Sequence, residues 1–535
     1  MNLLKKKAPK RNAASVLAIT TSFGLLVGCA SNGEQAGTSA GSASGSTSGK
    51  QVTLKVEVFD RGNSPAGMTV TNNLVTKWVQ EQFGNPNNIK LEFIPVPRAQ
   101  EVDKLNVLMA SGDAPDIVFT YDPNVVYKYV QQGGLMDLGK LIDANGANLK
   151  SYLGADTLSY GKFDGVQYAI PAKRVYLGKY SSMIRQDWLD KLGLPVPKST
   201  DEVYNTLKAF KEKNPGGSGT IPLGLSLAPA SIEPIIWPFI KKTSDEERYT
   251  SMQLLGSGDR PTLMPGHKEG VKFLNKLFNE GLVSPDFALD KDKKKLQQDV
   301  MTGKVGMYAE DAGQSYGTAP DIIGILQKND ANAKVTPIDP YTNEEGKHAK
   351  PGYQPAGMYI MIPKTSQNGE AAIKYLNWMA QKDVLNRLTN GDEGKNYTLQ
   401  DGIPVLKTDE DTKNLLYNAG DMRLVSNGLD LGDKDKNLKA MALAVPEALR
   451  KDAAIAYQNG LADGIPPLRF DRPIQAEVKY GKVLQDKYDE LIVKSMMAKP
   501  ADFDKAYDAA LKDYLASGGE EIKKERTEAY KAMKK

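Results

Sequence analysis

From position 52 onward the chain switches repeatedly between apolar residues spaced by two and apolar residues spaced by three or four. Val52, Leu54, Val56 and Val58 fall on one side of an alternating run, which predicts a strand over 52–59. Leu74, Val75, Trp78, Val79 and Phe83 recur at helical spacing and stop at Gly84, which predicts a helix. A second strand is expected over 89–96. A second helix follows over 99–112, with Val102, Leu105 and Met109 inward. "DIVFTY" (116–121) reads as a third strand and "NVVYKYVQQGG" as a third helix. The order β-α-β-α-β-α predicts a parallel, doubly wound sheet. Ligands of such sheets bind beyond the carboxyl ends of the strands, where strand order switches. Two loops end there, Asp60-Arg61-Gly62-Asn63 and the turn beginning Tyr121-Asp122. Both combine planar hydrogen-bonding groups with a glycine or an aromatic ring, as a polar-ligand site requires. The same Asp and Asn residues are also ordinary helix caps, so only the joint pattern points to a site.

Further strands are expected over 179–186, 304–310 and 358–363. Ser199-x-x-Glu202 reads as a capping box ahead of Val203, Leu207 and Phe210. Another helix is expected from Glu370 to about Leu388, and the last third of the chain is mainly helical, closing on a charged helix from Glu520. This is more chain than one ordinary core accommodates.

The amino terminus has no such periodicity. Lys5, Lys6, Lys7, Lys10 and Arg11 precede an uncharged stretch from Ala13 to Val27, which is too short for a stable membrane span and has the form of a secretion signal. It ends in Leu26-Val27-Gly28-Cys29, a bacterial lipobox, and Cys29 is the chain's only cysteine. Removal of residues 1–28 and diacylglyceryl modification of Cys29 would leave a firmly anchored protein. Residues 30–50 are mostly Gly, Ser, Ala and Thr and read as a flexible tether. The formal charge of +4 includes five positives from the leader, so the remainder stands near −1. That removes the basicity that would suggest a nucleic-acid partner.

Enzymatic chemistry finds little support. The G-x-S-x-G at 37–41 lies in the tether, where no nucleophile elbow can form. A second, Gly313 to Gly317, follows a predicted strand, but the two histidines, His267 and His348, do not stand in the order a hydrolase uses. Glu310 and Asp311 are neighbours, and neighbours on a strand point to opposite faces, against a glycosidase pair. The lysines of "DFALDKDKKK" (286–295) argue for a solvated turn rather than a metal loop.

"YSSMIRQDWLDKLGLPVPKSTDEVYNTLKAFKEKNP" (180–215), "FDGVQYAIP" (163–171), "NGDEGKNYTLQDGIP" (390–404) and the tail from "YDAALKDYLASGGEE" resemble the family 1 extracellular solute-binding proteins of ABC sugar importers, in their long lipoprotein branch. The resemblance implies an α/β, two-lobed periplasmic-binding-protein-like (type II) fold with a hinge and a large helical C-terminal part. The lobes are expected at about 51–178 with 353–395, and 179–352 with 396–535. Many members carry an acidic calcium loop before an "IPL" motif; here "NPGGSGTIPL" (214–223) has no carboxylate, so neither metal nor cofactor is expected. The implied function is capture of an oligosaccharide by hinge closure and delivery to the permease of an ABC importer, by a monomer outside the cell. A surface polysaccharide hydrolase or lyase and a peptide receptor are the alternatives. A sugar cleft needs planar donors and acceptors beside aromatic rings. With Asp60, Arg61, Asn63, Tyr121 and Asp122, the expected lining is Arg174 and Tyr176 at the first crossing between lobes, Trp237, and Tyr308, Glu310 and Asp311 at a strand end. Trp237 has core as its rival reading, because "IIWPF" is apolar on both sides.

Overall fold

The computed structural model describes residues 50–255, 258–317 and 321–534. The expected signal peptide, Cys29 and nearly all of the expected tether lie outside the described residues.

The first lobe is built on strand β1 (Val52–Asp60), helix α1 (Leu74–Val79), β2 (Ile89–Pro97), α2 (Glu101–Ser111), β3 (Val118–Thr120) and α3 (Pro123–Gln131). α1 starts where the Asn73 side chain accepts the amides of Val75 and Thr76, and α2 ends at Gly112 with φ 77°, a left-handed conformation that suits glycine. β1 pairs parallel with β2 along its whole length and meets Ile117, just before β3, through a parallel bridge at Val56. The order β2-β1-β3 therefore switches between β1 and β3, as the alternation predicts.

The chain then runs through β4 (Ala169–Arg174) into β5 (Tyr180–Arg185), which already belongs to a second sheet. That sheet also holds β6 (Ile221–Leu223), β7 (Val305–Asp311) and β8 (Val335–Ile338), in the order β8-β5-β7-β6. β9 (Ala356–Met361) returns to the first sheet and lies antiparallel between β3 and β4. β10 (Ser426–Asn427) pairs parallel with β4 at the sheet's edge. Both sheets are mixed, because β9 and β5 run against their neighbours.

Each sheet is covered on two sides. In the first, Val56, Phe119 and Ile360 face one apolar cluster, whereas Val118, Tyr359 and Met361 face another with Val125 and Val126 of α3. In the second, Met307 faces a large cluster shared with the C-terminal helices, and Tyr308 faces the other side. The segment 396–427, expected in the second lobe, instead packs on the first: Leu415, Met422, Leu424 and Val425 join its core. The helix expected from Glu370 to about Leu388 is two helices, Gly369–Met379 and Lys382–Asn390. At Ser199 the box is rearranged. The hydroxyl accepts the Glu202 amide, but the Glu202 carboxylate accepts the amide of Lys198 rather than that of Ser199.

Three segments cross between the sheets and lie side by side. The amide of Arg174 donates to the carbonyl of Pro355 (2.7 Å), that of Tyr353 to Leu177 (2.7 Å) and that of Val175 to Asn427 (3.1 Å). Residues 51–535 form one unit.

Candidate functional site

The carboxyl ends of β1 and β3 bring their loops together over Phe59. The ring of Tyr121 stacks on Phe59 with centroids 6.3 Å apart, and the Arg98 guanidinium sits 4.9 Å from the Phe59 centroid and 5.0 Å from that of Tyr121. Arg61 makes a two-pronged contact with Asp421, Nε to Oδ2 at 2.7 Å and Nη2 to Oδ1 at 2.8 Å. Arg98 pairs with Glu101 at 2.5 Å. Arg61, Arg98 and Arg174 all act electrostatically on the Tyr121 phenol, whose burial outweighs them and raises its pKa. Two of the three arginines thus come from the sequence expectation. Arg98 and both carboxylates do not.

Asp122 takes the capping role, whereas Asp60 closes a turn within its own loop. Asp60 Oδ1 accepts the Gly62 amide at 2.9 Å, and Asp122 Oδ1 accepts that of Asn124 at 2.9 Å at the start of α3. Burial pushes the Asp122 carboxyl up to about 6. Asn63 is exposed on its loop.

At the crossings, Arg174 lies 4.1 Å above the ring of Tyr353, and the Lys179 ammonium lies 4.9 Å from the same centroid. Burial is the main influence on the Tyr353 phenol, raising it to about 12, and Asp311, Arg174, Lys293 and Glu233 also act on it. Tyr353 therefore marks the place where groups of both lobes meet. Asp311, at the end of β7 in the second lobe, is paired with Lys293 at 2.8 Å. Behind it, Arg260 forms a buried ion pair with Glu233. Tyr176 is a crossing residue, but its hydroxyl donates to the carbonyl of Tyr457 at 2.8 Å and its ring meets Tyr457 edge-on.

Three expected lining residues are placed elsewhere. Tyr308 is 3% exposed and packs with Leu296, Val300 and Tyr316. Its hydroxyl bonds to that of Ser315 at 3.1 Å. β7 is covered on both faces, so reaching the strand's end does not bring that side chain to the cleft. Trp237 is 2% exposed in the other core cluster, its rival reading. Glu310 is 1% exposed and is held by Lys293 and Gln297. The same lysine clamps both Glu310 and Asp311. Ser315 of the second G-x-S-x-G is buried against Tyr308, and His267 sits between Tyr507 and Tyr488 with its pKa driven down to about 3 by burial. No described group of three or more His, Cys, Asp or Glu residues is arranged to hold a metal ion.

A cavity of about 140 Å³ lies between the lobes, with Gln354 of the second crossing segment in its lining. Asn124, Tyr127 and Tyr359 line it from one side, and Asp259, Phe470 and Arg526 from the other. A larger hollow of about 670 Å³ is lined by the first lobe and the third crossing alone. Both lobes reach the smaller one, but Arg61, Tyr121, Arg174 and Asp311 are not in its lining.

A two-lobed body whose polar and aromatic groups converge at a triple crossing is the expected geometry of a hinged receptor. Residues 69–385 match the family model described as bacterial extracellular solute-binding protein. The chain belongs to this family. Among its relatives is lipoprotein LipO of Bacillus subtilis, 25% identical over 82% of this chain and 86% of that one. The polygalacturonan/rhamnogalacturonan-binding protein YtcQ of the same organism is 26% identical over 84% of this chain and 86% of its own length. Among solved structures, the alginate-binding protein AlgQ2 without calcium ion superposes with a TM-score of 0.68 and 21% identity over 90% of this chain and 98% of that one. The solute-binding family accounts for the two lobes.

Proposed function

We propose that this solute-binding protein is a lipid-anchored receptor on the outer face of the cytoplasmic membrane. It captures an oligosaccharide between its lobes and presents it to the permease of an ABC importer. The observation that carries this reading is the meeting of Arg174, Lys179 and Asp311 around the ring of Tyr353, because it joins donors, an acceptor and an aromatic face from two lobes at a hinge. Relatives named for polygalacturonan and fructooligosaccharide binding support a saccharide over a peptide. In this reading Arg61, Tyr121, Arg174 and Asp311 contact the ligand, Cys29 carries the anchor, and the ligand leaves chemically unchanged.

Mechanistically, ligand contacts from both lobes favour the closed arrangement over the open one, and closure proceeds by rotation about the three crossing segments. Small-angle scattering tests it: the radius of gyration falls when the cognate oligosaccharide is added, with helix content unchanged. A ligand that binds tightly without compaction, or a polymer that is cleaved on incubation, refutes the mechanism.

A further inference from the structure

The charges around the cleft are unequally answered. Arg61 is paired with Asp421, Arg98 with Glu101, Arg260 with Glu233, and Lys293 with Glu310 and Asp311. Arg174 and Lys179 are different. Among the described residues neither forms an ion pair with a carboxylate. Lys179 is 4% exposed. The Arg174 Nε is buried and meets no acceptor. Both cations instead lie on one aromatic ring, that of Tyr353, at 4.1 and 4.9 Å.

Burial pushes both pKa values down, so the site works against its own charge. A cation taken out of water needs a partner with good geometry, and the face of a tyrosine offsets only part of that cost. Nor does the ring itself supply an anion, since its phenol is pushed up to about 12. Glu233 is near enough to act on Lys179 but is already engaged by Arg260. Asp311 is engaged by Lys293.

We propose that the missing partner is a carboxylate of the ligand, received by the Arg174 fork and the Lys179 ammonium, so that the ligand is an acidic oligosaccharide containing uronate. This rests on the saccharide reading above. The planar guanidinium suits a carboxylate held by two parallel hydrogen bonds, and the ammonium adds a compact second charge. The ring of Tyr353 fixes both cations before the ligand arrives, which limits the ordering cost of binding.

The test is titration calorimetry with tetramers of galacturonate, mannuronate and glucuronate, the methyl ester of each, and neutral tetrasaccharides. At least one acid binds, and its methyl ester binds more weakly by about tenfold or more, the size of one charge-assisted hydrogen bond. Arg174→Gln and Lys179→Gln each weaken binding of the acid while changing that of the ester little. Without ligand, Arg174→Gln melts no lower than wild type, because a buried cation without a partner has been removed; a purely structural arginine would give a lower melting temperature. Equal affinity for acid and ester, or normal acid binding by both variants, overturns the proposal. Binding of neutral tetrasaccharides alone overturns it and leaves the oligosaccharide receptor standing. Binding of peptides and of no saccharide removes both.

Discussion

Arg469→Ala probes closure through a contact that joins the lobes in the lining of the interlobe cavity and leaves Arg61, Tyr121, Arg174 and Asp311 in place. Arg469 belongs to the segment after the helix Arg450–Leu461, which packs against the second lobe through its neighbours Leu468 and Phe470. Its guanidinium reaches the first lobe. Nη1 donates to Ser159 Oγ at 2.8 Å, Nη2 to the Ser159 carbonyl at 2.6 Å, and the group lies 4.3 Å from the Tyr160 ring centroid. The contact is exposed, so each hydrogen bond is assigned about 0.5 kcal/mol, the low end of the usual range. The exposed cation–π contact adds roughly 0.5–1 kcal/mol. The total of about 1.5–2 kcal/mol is available only when the lobes are together. Its loss therefore weakens ligand binding by roughly 10- to 30-fold, at 1.4 kcal/mol per tenfold. The effect falls mainly on dissociation, because encounter with the open cleft does not use this contact. Surface plasmon resonance on the mature body, with the cognate oligosaccharide, separates the two rates. Ligand-free melting temperature serves as the control and stays close to wild type. An unchanged dissociation rate, or a loss confined to association, would refute the reasoning that this contact helps hold the lobes together.

The buried network at the C-terminal helix Glu520–Met533 gives a second test. Arg526→Met strips the partner from Asp259 (3.1 Å) and Glu477 (3.4 Å) and should cost about 3–5 kcal/mol at pH 8. Glu477 is raised by burial to about 7, so its contribution to stability is complete below the unfolded carboxylate range and lost as pH rises through 7. Without Arg526 the group rises further, so the melting deficit must be larger at pH 8 than at pH 5.5, and the opposite order would be fatal to the argument. Tyr308→Phe loses the bond to Ser315, lowers stability by about 1 kcal/mol and leaves ligand affinity intact; a binding defect would return Tyr308 to the cleft. Cys29→Ala leaves unprocessed precursor or releases the protein, as membrane fractionation and the mass of the mature N-terminus will report. Chelator should not lower the melting temperature, and a fall would reveal a cation site.

Where local pattern is strong, the sequence sufficed. The alternation in β1 and the helical spacing after it depend on neighbours a few residues away, so the β-α-β-α-β-α order and the switch between β1 and β3 follow from periodicity and packing alone. The loops at Arg61 and Tyr121 could be named on that basis. Their partners could not. Asp421 lies 360 residues from Arg61, and nothing in local spacing marks the return of 396–427 to the first sheet. Tyr308 and Glu310 failed for another reason. All but the last residue of β7 is buried, so the two-residue period that tells inside from outside is absent from that strand. Tyr353 is one of 24 tyrosines, unremarked until the crossing segments set it beneath Arg174 and beside Lys179. Short-range sterics and periodicity are written along the chain. The pairing of charges across a hinge is decided only when distant backbone segments hydrogen-bond side by side, as Arg174 with Pro355 and Tyr353 with Leu177 do here.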